Sequence, residues 1–422
     1  MTTGRHSNAY SQSDRHVWIV NHYAAVPWIS GGAGRHFFLA QQLKKLGWSS
    51  TIILASTDHP AGRQLMPGRV LRKRATAEGI EALLVRTNAY GNSLALRLIG
   101  MLLFAVNLLR PGTCRGLQRP DVVIGSTVHP FAAYGAFRLS RRYGVPFVYE
   151  IRDVWPESLV DISGLSLRHP VVRLFSVLDR LLIKSADLVI SPLPHVDLHL
   201  AEMGYPDVPF LWISNGYDIE GANGSPDLVN DRHEFTFMYL GAHGKANAIE
   251  DLLVAFDKAC RAAPERNLKF RLVGDGPSRS SLIRFALGLS SANRIEFEER
   301  IPAGEVMARA RESDCLVVNL PDRPVYRFGV ALNKYFFYLA TGVPIISASS
   351  APNNPISDAK AGYVVPGGDV DEISSAMCLM ASLSKAERAA FAGRGVSELR
   401  GKYSFEVLGA KLADALSELV AQ

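Results

Sequence analysis

The sequence predicts an α/β protein with two halves, each folded around a parallel sheet. Short apolar runs of strand type alternate with amphipathic runs of helix type along most of the chain, as is typical of βαβ units. This alternation stops at the turn-rich, acidic residues 215–227 and then restarts. Glycine-rich or small-residue loops follow several of the predicted strands, and ligands of such sheets bind at that end of the strands.

The individual elements follow from hydrophobic periodicity and from glycine stops, such as Gly47 after the first helix. In the first half we predict strands at 16–22, 50–55, 122–124, 145–150 and 188–191, and helices at 34–46, 132–143 and 171–184. In the second half we predict strands at 235–240, 269–273, 294–297, 315–320 and 344–347, and helices at 249–263, 278–287, 304–311, 332–340 and 404–420. This order describes two Rossmann-like domains with a cleft between them.

Composition and length exclude several classes of protein. A chain of 422 residues with 48% hydrophobic and 20% charged residues suggests a globular protein of two or three domains. The four cysteines are far apart and form no CxxC pair, so we expect a reducing compartment and neither a zinc site nor a disulfide framework. Residues 1–15 are polar and predict a disordered leader without a signal peptide. No uncharged apolar run reaches the length of a membrane-spanning helix.

The net charge of +6 is unevenly distributed along the chain. Residues 1–215 contain 23 Lys and Arg against 14 Asp and Glu, a net charge of +9, which leaves −3 for the rest. A basic half indicates an anionic partner, such as a phosphorylated substrate or a phospholipid surface. Because no compact Lys/Arg run with interleaved aromatic residues occurs, we do not expect nucleic acid as a partner.

The run EIRDVWPE at 150–157 is the strongest candidate for chemistry. It places Glu150, Arg152 and Asp153 at the end of an apolar strand, where charges are costly to desolvate unless they are paired or used. His129 follows the neighbouring predicted strand and is expected at the same edge of the sheet. The alternative is a local ion pair of Arg152 with Glu150 or Asp153 that holds the loop.

Several glycine loops are candidates for phosphate binding. Gly31 and Gly32 precede Arg35 at the start of a predicted helix, where free N–H groups and a cation suit an anion. In the second half, loops at 241–245, 273–277 and 329–334 carry Lys245 and Lys334, which suit a diphosphate. The alternative for each glycine loop is a plain turn, and for each lysine a solvated surface charge.

Residues 94–109 form an apolar segment interrupted by Arg97 and Asn107, too short and too polar to span a bilayer. Basic residues surround it in the sequence. An apolar helix among cations suits insertion at an anionic membrane interface. The alternative is an ordinary core helix of the first half.

With these pieces placed, the chain resembles the GT-B glycosyltransferases of family 4. The closer likeness is to bacterial enzymes that extend lipid-linked O-antigen or capsule precursors, such as the N-acetylfucosamine transferase type. The resemblance covers nearly the whole chain after residue 16. The segments that carry it are NHY at 21–23, GGAGR at 31–35, EIRDVWPESL at 150–159, LVGDGP at 272–277, NKYFFYLATGVP at 333–344 and AGYVV at 361–365.

The resemblance implies a domain plan and two substrate sites. Residues 16–213 would bind the acceptor, 214–233 would be a linker, 234–402 would bind the nucleotide-sugar, and 403–422 would cross back to the N-terminal domain. The donor-site residues would be Gly274, Asp275, Gly276 and Ile301 at the nucleoside, and Gly244, Lys245, Asn333 and Lys334 at the diphosphate. The acceptor-side residues would be His129, Glu150 and Asp153 as the catalytic group, and Gly31, Gly32, Arg35 and Arg152 as a phosphate loop.

The resemblance also implies a retaining reaction that needs no divalent metal and no cofactor, because lysines and a helix dipole would stabilise the departing diphosphate. The chain departs from the family at one point. The family usually places acidic residues eight apart around the helix near Asn333, and here those positions are Gly329 and Phe337.

We therefore expect a transferase that moves a hexose or N-acetylhexosamine from a UDP-sugar to a polyprenyl-diphosphate-linked acceptor. It would work in the cytoplasm, on the inner face of the plasma membrane. Glu150 or Asp153 would orient the acceptor hydroxyl, and His129 would bond the donor sugar. Two alternatives remain open: a GT-B UDP-sugar 2-epimerase, and a catalytically silent GT-B scaffold subunit motivated by Phe337.

Overall fold

The computed structural model describes residues 15–219 and 234–421, which form two compact units. The first unit contains the described residues up to Pro192, then Val196–Ile213 and the chain from Leu408 onward. The second contains Leu193–His195 and Ser214–Val407. Apart from Arg15, the predicted leader lies outside the described residues, and so does most of the predicted linker.

The elements have the following bounds in the described residues. The strands are β1 Arg15–Val20, β2 Trp48–Ala55, β3 Arg72–Ala77, β4 Ile80–Val85, β5 Val122–Thr127, β6 Phe147–Ile151, β7 Leu188–Ser191, β8 Phe210–Trp212, β9 Phe235–Leu240, β10 Leu268–Val273, β11 Ile295–Glu298, β12 Cys315–Asn319, β13 Ile345–Ala348 and β14 Gly362–Val365. The α-helices are α1 Pro27–Ser30, α2 Arg35–Lys45, α3 Leu94–Leu109, α4 Pro130–Tyr143, α5 Glu157–Ser163, α6 Pro170–Ser185, α7 Val196–Glu202, α8 Ile249–Ala262, α9 Arg279–Ala286, α10 Val306–Arg311, α11 Asn333–Thr341, α12 Pro355–Ala359, α13 Val370–Ser382, α14 Lys385–Glu398 and α15 Phe405–Ala421.

The sheet of the first unit has the strand order β3-β4-β2-β1-β5-β6-β7-β8. All neighbours are parallel except β3, which runs antiparallel to β4 at the edge. The chain goes from β1 to β2 on one side and later returns to place β5 on the other, so the strand order reverses between β1 and β5. Ligands of open α/β sheets bind outside the carboxyl ends of strands at such a reversal.

The sheet of the second unit has the order β11-β10-β9-β12-β13-β14, with every pair parallel. Its strand order reverses between β9 and β12. The strands carry near-continuous apolar runs, because helices cover both faces of a parallel sheet. Phe237, Tyr239, Phe270 and Val317 are fully buried among the helices α8 and α13 and their neighbours.

The predicted α/β class with two parallel-sheet domains is confirmed. Each predicted strand and helix has a counterpart whose ends differ by a few residues, and residues 94–109 form the single helix α3. The prediction omitted the hairpin of β3 and β4, the short strands β8 and β14, and helices such as α13 and α14. A π-helical turn at Leu399–Tyr403 links α14 to α15.

Candidate functional site

The carboxyl ends of β1, β5 and β6 lie side by side in the first unit. Thr127 at the end of β5 ties two of them together: its Oγ1 donates to the carbonyl of Glu150 and accepts from the Arg152 N–H, both at 3.1 Å. His129 follows as the N-cap of α4. The structure therefore brings His129 and the segment from Glu150 to Asp153 to one edge of the sheet.

Glu150 is fully buried in a network that reaches across the sheet to α2. Its Oε1 accepts from Arg35 Nε at 3.0 Å and its Oε2 accepts from His36 Nε2 at 2.6 Å. Arg35 also donates from Nη2 to the carbonyl of Ile213 at 2.7 Å. Glu150 thus pairs with Arg35 and not with Arg152, and its ion pair joins distant segments instead of holding a local loop.

The hydrogen bonds define the protonation of this network. Asn21 Oδ1 accepts from the Tyr23 N–H, so its amide Nδ2 donates to His36 Nδ1 at 3.0 Å. A His36 that accepts at Nδ1 is neutral and carries its proton at Nε2, where it donates to Glu150. Burial lowers the pKa of His36 in agreement with this state. Burial also opposes the charge of Glu150, but the neighbouring His36 and Arg35 hold the pKa of Glu150 well below its usual value.

Asp153 differs from Glu150 because its side chain reaches solvent. The dense protein around it raises the pKa of the Asp153 carboxyl, and the Arg152 charge opposes this rise. Arg152 is half-buried, and its Nε has no hydrogen-bond partner within the described residues. Gly31 and Gly32 lie exposed at the end of α1, with open space where a Cβ would stand.

Sequence reasoning missed a second group at this edge. The His22 ring lies 4.8 Å from that of His129 and 4.4 Å from that of Tyr23. Arg97 of α3 donates from Nε to Tyr23 Oη at 3.0 Å. In the sequence, NHY at 21–23 stands out only as part of the family resemblance, and Arg97 only as an interruption of an apolar run. Their proximity depends on how α3 packs, which the sequence pattern does not show.

In the second unit, a cavity of about 470 Å³ lies at the carboxyl ends of β9 and β10. Five of the predicted donor-site residues line it: Gly274, Asp275, Ile301, Asn333 and Lys334. Gly244, Gly276 and Lys245 are not part of its lining. Other lining residues were not predicted to bind the donor, and they are Leu240, Gly241, Ala242, Val273, Arg300, Ala303, Val306 and Phe337.

The glycines at 274 and 276 are needed because two loops touch. Gly274 has φ +147°, and a Cβ there would meet the carbonyl oxygen of Gly241 at 2.0 Å. A Cβ at Gly276 would meet the carbonyl oxygen of His243 at 2.5 Å. The close contact of the two loops leaves their backbone groups at the cavity wall without side chains in the way. The geometry therefore agrees with both interpretations of these glycines: they permit a tight turn, and they allow a ligand to approach the backbone closely.

Lys334, in the first turn of α11, carries the most unusual charge of this cavity. Its Nζ lies 3.8 Å from the centroid of the Tyr239 ring, is shielded from solvent, and has no hydrogen-bond partner in the described part of the chain. Burial lowers the pKa of Lys334 to about 7. An ammonium group in this state is poised for an anion, because an anion would replace the lost hydration. Lys245, in contrast, is exposed in a short 3₁₀ turn.

The two positions that depart from the family pattern have different surroundings. Gly329 has φ +106°, and a Cβ there would lie 2.3 Å from Pro194 Cδ, so this backbone excludes an acidic side chain. Phe337 lines the cavity and packs near Tyr217, with ring centroids 6.1 Å apart. An apolar ring therefore stands at the cavity where the family usually has a carboxylate.

Comparisons with known proteins agree with this architecture. Residues 31–216 match the model of the glycosyl transferase 4-like domain, and residues 234–382 match that of the glycosyl transferases group 1. Two solved structures cover 96% of the chain: sucrose-phosphate synthase from Thermosynechococcus elongatus (TM-score 0.71, 14% identity, 99% of that chain) and HepE from Anabaena in complex with UDP and glucose (TM-score 0.63, 13% identity, 100% of that chain).

A curated relative is the GDP-mannose-dependent alpha-(1-6)-phosphatidylinositol monomannoside mannosyltransferase of Mycolicibacterium smegmatis, which is 32% identical over 176 residues. The match covers 40% of this chain and 44% of that relative, so it spans less than half of either protein.

Two Rossmann-like domains with these sheet orders define the GT-B fold. Each domain matches a glycosyltransferase domain model in its own part of the chain. The protein is a GT-B glycosyltransferase that contains a glycosyl transferase 4-like domain and a glycosyl transferases group 1 domain.

Proposed function

We propose that this protein is a retaining glycosyltransferase that moves a hexose or N-acetylhexosamine from a UDP-sugar to a polyprenyl-diphosphate-linked precursor of a cell-surface polysaccharide. An acceptor of the O-antigen or capsule type, as for N-acetylfucosamine transferases, is part of this proposal. The observation that carries it is the cavity of the second unit, in which the shielded Lys334 Nζ lies beside the glycine loops after β9 and β10.

In this proposal the nucleoside lies along Gly274, Asp275 and Ile301, and the diphosphate lies at Lys334 and Asn333. Lys334 gains the counter-ion that it lacks in the described structure, and the N–H groups at the start of α11 add their dipole. The charge of the departing diphosphate is stabilised by these groups, so no metal or cofactor is required. Gly244 and Lys245 act at the outer end of the diphosphate.

On the acceptor side, the solvent-open Asp153 orients the acceptor hydroxyl. Glu150 acts indirectly, because Arg35 and His36 occupy both of its oxygens and it holds the sheet edge in place. His129 donates a hydrogen bond to the donor sugar. Attack occurs from the face that the diphosphate leaves, and a leaving phosphate oxygen takes the proton of the hydroxyl.

We further propose that the first unit binds an anionic membrane surface. Among the described residues, no helix has both the length and the apolarity needed to cross a membrane. α3 exposes a strongly apolar face, and α6, which is separated from it by α4, exposes another. The exposed apolar residues are Leu94, Leu96, Ile99, Leu102, Val106, Leu174, Val177 and Leu181. The exposed cations of α4 and α6 are Arg138, Arg141, Arg142, Arg173, Arg180 and Lys184.

Charge complementarity selects the occupant of this face. A protein partner would require acidic groups, whereas an anionic bilayer provides both negative charge and an apolar layer for the leucines. Two comparisons support parts of the proposal by their names: one relative acts on a phosphatidylinositol mannoside, and one solved structure holds UDP and glucose.

A thermal-shift screen of UDP, GDP, dTDP and ADP compounds tests the donor, because a ligand that binds only the folded state raises its stability by mass action. We expect UDP compounds to give the largest shifts; a larger shift with GDP compounds would overturn the choice of base. Transfer of labelled sugar to a lipid-linked acceptor then tests the reaction. Release of an isomer of the labelled sugar without a lipid acceptor would indicate the 2-epimerase. Nucleotide binding without any turnover would indicate the catalytically silent scaffold subunit that Phe337 suggests.

The membrane proposal is tested with Leu102→Glu plus Val106→Glu, because both side chains are exposed and the change leaves the core of α3 intact. Sedimentation with liposomes rich in phosphatidylglycerol should fall strongly. Leu379→Glu, at an exposed leucine of α13 in the second unit, is the matched control and should sediment like the unmodified protein. Unchanged sedimentation of the double variant would exclude this face.

A further inference from the structure

Five side chains, most of them polar or ionisable, cluster between α3 and the carboxyl ends of β1 and β5. We call His22, Tyr23, His59, Arg97 and His129 the anion pocket. The rings of Tyr23 and His59 stack with centroids 4.4 Å apart, and His22 lies between Tyr23 and His129. His22 and His129 are buried, whereas Tyr23 and Arg97 are half-buried and His59 is exposed. The anion pocket therefore has a buried side, formed by His22 and His129, and an exposed side, formed by His59.

The positive charge of Arg97 is not balanced within the described residues. Its contacts there are to Tyr23, by the hydrogen bond to Oη and by the guanidinium carbon 5.4 Å from the ring centroid. Asp58, the carboxylate whose charge acts on the neighbouring His59, is paired with Arg63 at 2.9 Å. A cation that is half removed from water without a counter-ion is a typical feature of an anion site.

The buried side of the anion pocket contains two imidazole nitrogens that have no hydrogen-bond partner among the described residues. His129 Nδ1 accepts from the Ala132 N–H at 3.4 Å, so the neutral ring carries its proton at Nε2. That Nε2 and His22 Nδ1 are both buried, and neither has a hydrogen-bond partner in the part of the chain that the structure describes. Buried polar groups without partners call for an explanation such as a bound ligand.

The electrostatics of the anion pocket also suit the binding of an anion. Burial, with the Arg97 charge as a further cause, lowers the pKa of His22, of His59 and of His129, the last to about 3. The three rings are therefore neutral hydrogen-bonding groups around one fixed cation. A bound anion would reverse the unfavourable effect of Arg97 on these rings.

We propose that the anion pocket binds the phosphate group next to the acceptor sugar, with Arg97 as its ion-pair partner and His22 as a hydrogen-bond donor. This inference rests on the proposed function, because it names the group that recognises the acceptor. Arg35 is unsuited to this task, since Glu150 and the Ile213 carbonyl already engage it. Arg97, in contrast, lies on α3 between the exposed Leu94 and Ile99, where a lipid-linked phosphate would arrive from the membrane.

The position of the pocket also limits the acceptor. The ring centroids of His22 and His129 are 4.8 Å apart, and His129 is the group that bonds the donor sugar in the proposed reaction. The phosphate is therefore held close to the reacting centre. A phosphate-linked monosaccharide fits this spacing, and a long glycan between the phosphate and the accepting hydroxyl does not.

Binding of inorganic pyrophosphate to the full chain, measured by calorimetry, tests the pocket. All proteins carry Lys334→Ala, so that pyrophosphate in the cavity of the second unit does not contribute. We expect Arg97→Gln to weaken binding about tenfold or more, as for loss of a charge-assisted hydrogen bond, and Arg97→Lys to retain part of it. Arg110→Gln, at the exposed end of the same helix, should bind as the parent does.

Tyr23→Phe separates anion binding from packing. It removes the hydroxyl that Arg97 bonds but leaves the guanidinium, so pyrophosphate affinity should persist. Three outcomes would each overturn the proposal. Tyr23→Phe and Arg97→Gln could lose the same pyrophosphate affinity, Arg97→Gln could bind pyrophosphate as tightly as its parent, or the parent could fail to bind it. Labelled-histidine NMR adds a direct readout, since pyrophosphate should raise the pKa of His22 and His59.

Transfer kinetics of proteins that keep Lys334 show whether the phosphate belongs to a lipid-linked or a soluble acceptor. They also allow the anion pocket and the proposed function to be refuted separately. A lipid-linked diphosphate monosaccharide in vesicles and a soluble sugar 1-phosphate are compared as acceptors; Arg97→Gln should raise KM for the accepted one at least tenfold with kcat little changed. An unchanged KM with active transfer refutes the pocket and leaves the proposed function standing. Pyrophosphate binding that depends on Arg97, without transfer to either acceptor, supports the pocket and refutes the proposed acceptor.

Discussion

At the carboxyl edge of the first sheet, Glu150 has its partners inside the protein: Arg35 and His36 occupy both oxygens, and Asn21 and Ile213 complete the network. At the corresponding edge of the second sheet, the Nζ of Lys334 is shielded from water, lies over the Tyr239 ring, and has no hydrogen-bond partner within the described chain. Both groups are ionisable and lie near the carboxyl ends of strands. The protein supplies hydrogen-bond partners to both oxygens of Glu150, whereas Lys334 Nζ has none within the described residues.

This difference separates a structural role from a binding role. A buried charge with complete hydrogen bonds stabilises the arrangement around it, and removal of one partner leaves the other uncompensated. A buried charge without partners reduces stability unless a ligand supplies the missing contacts. Whether an ionisable side chain at the carboxyl edge of a sheet binds a ligand is therefore better indicated by its unsatisfied hydrogen bonds than by its position at that edge.

The comparison predicts its largest effect at Glu150. Glu150→Gln keeps the shape of the side chain but leaves Arg35 without its counter-charge, so we expect a loss of about 3–5 kcal/mol in the free energy of unfolding. Urea denaturation measures it. Asp371→Asn, which breaks an exposed ion pair with Lys258, is the control and should cost about 0–1 kcal/mol. Equal costs in the two variants would contradict a structural role for Glu150.

The second prediction concerns Lys334. Lys334→Ala should reduce the affinity for UDP by about 1.5–3 kcal/mol, the usual strength of a hydrogen bond to a charged group. Isothermal calorimetry measures the affinity, and the exposed Lys245→Ala should lose much less. If both variants bind UDP as tightly as the unmodified protein, the cavity does not hold the diphosphate at Lys334.

The third prediction uses the pKa of Lys334. Because burial lowers that pKa to about 7, Lys334 is largely neutral above this pH before the donor binds, and an anionic donor must restore the proton when it binds. UDP affinity should therefore fall as pH rises above about 7, by at most tenfold per pH unit, and be flatter below it. Calorimetry in buffers of different ionisation enthalpy should show proton uptake at pH 8. A pH-independent affinity in the unmodified protein would rule out this coupling.

The pattern of hydrophobic residues allowed most of the fold to be predicted, because buried parallel strands appear in the sequence as continuous apolar runs. β3 escaped prediction because its residues RKRATA are charged and largely exposed, as suits an edge strand that avoids further pairing. The candidate site was predictable only as far as local motifs extend. The pairing of Glu150 with Arg35 joins residues 115 positions apart, and the presence of Arg300 at the cavity depends on tertiary packing.

The smallest predicted effect lies at His129, which shares an edge with Glu150 but resembles Lys334, because its Nε2 has no hydrogen-bond partner among the residues that the structure describes. Burial lowers the pKa of His129 from 6.5 to about 3, so between these values the unfolded chain binds a proton that the folded chain does not. Stability must therefore fall as pH falls, by about 1 kcal/mol for this group from pH 6 to pH 5. His129→Asn keeps an N-cap for α4 and removes the titration, so urea denaturation at the two pH values should show a shallower loss. A slope equal to that of the unmodified protein would mean that His129 is protonated in the folded state.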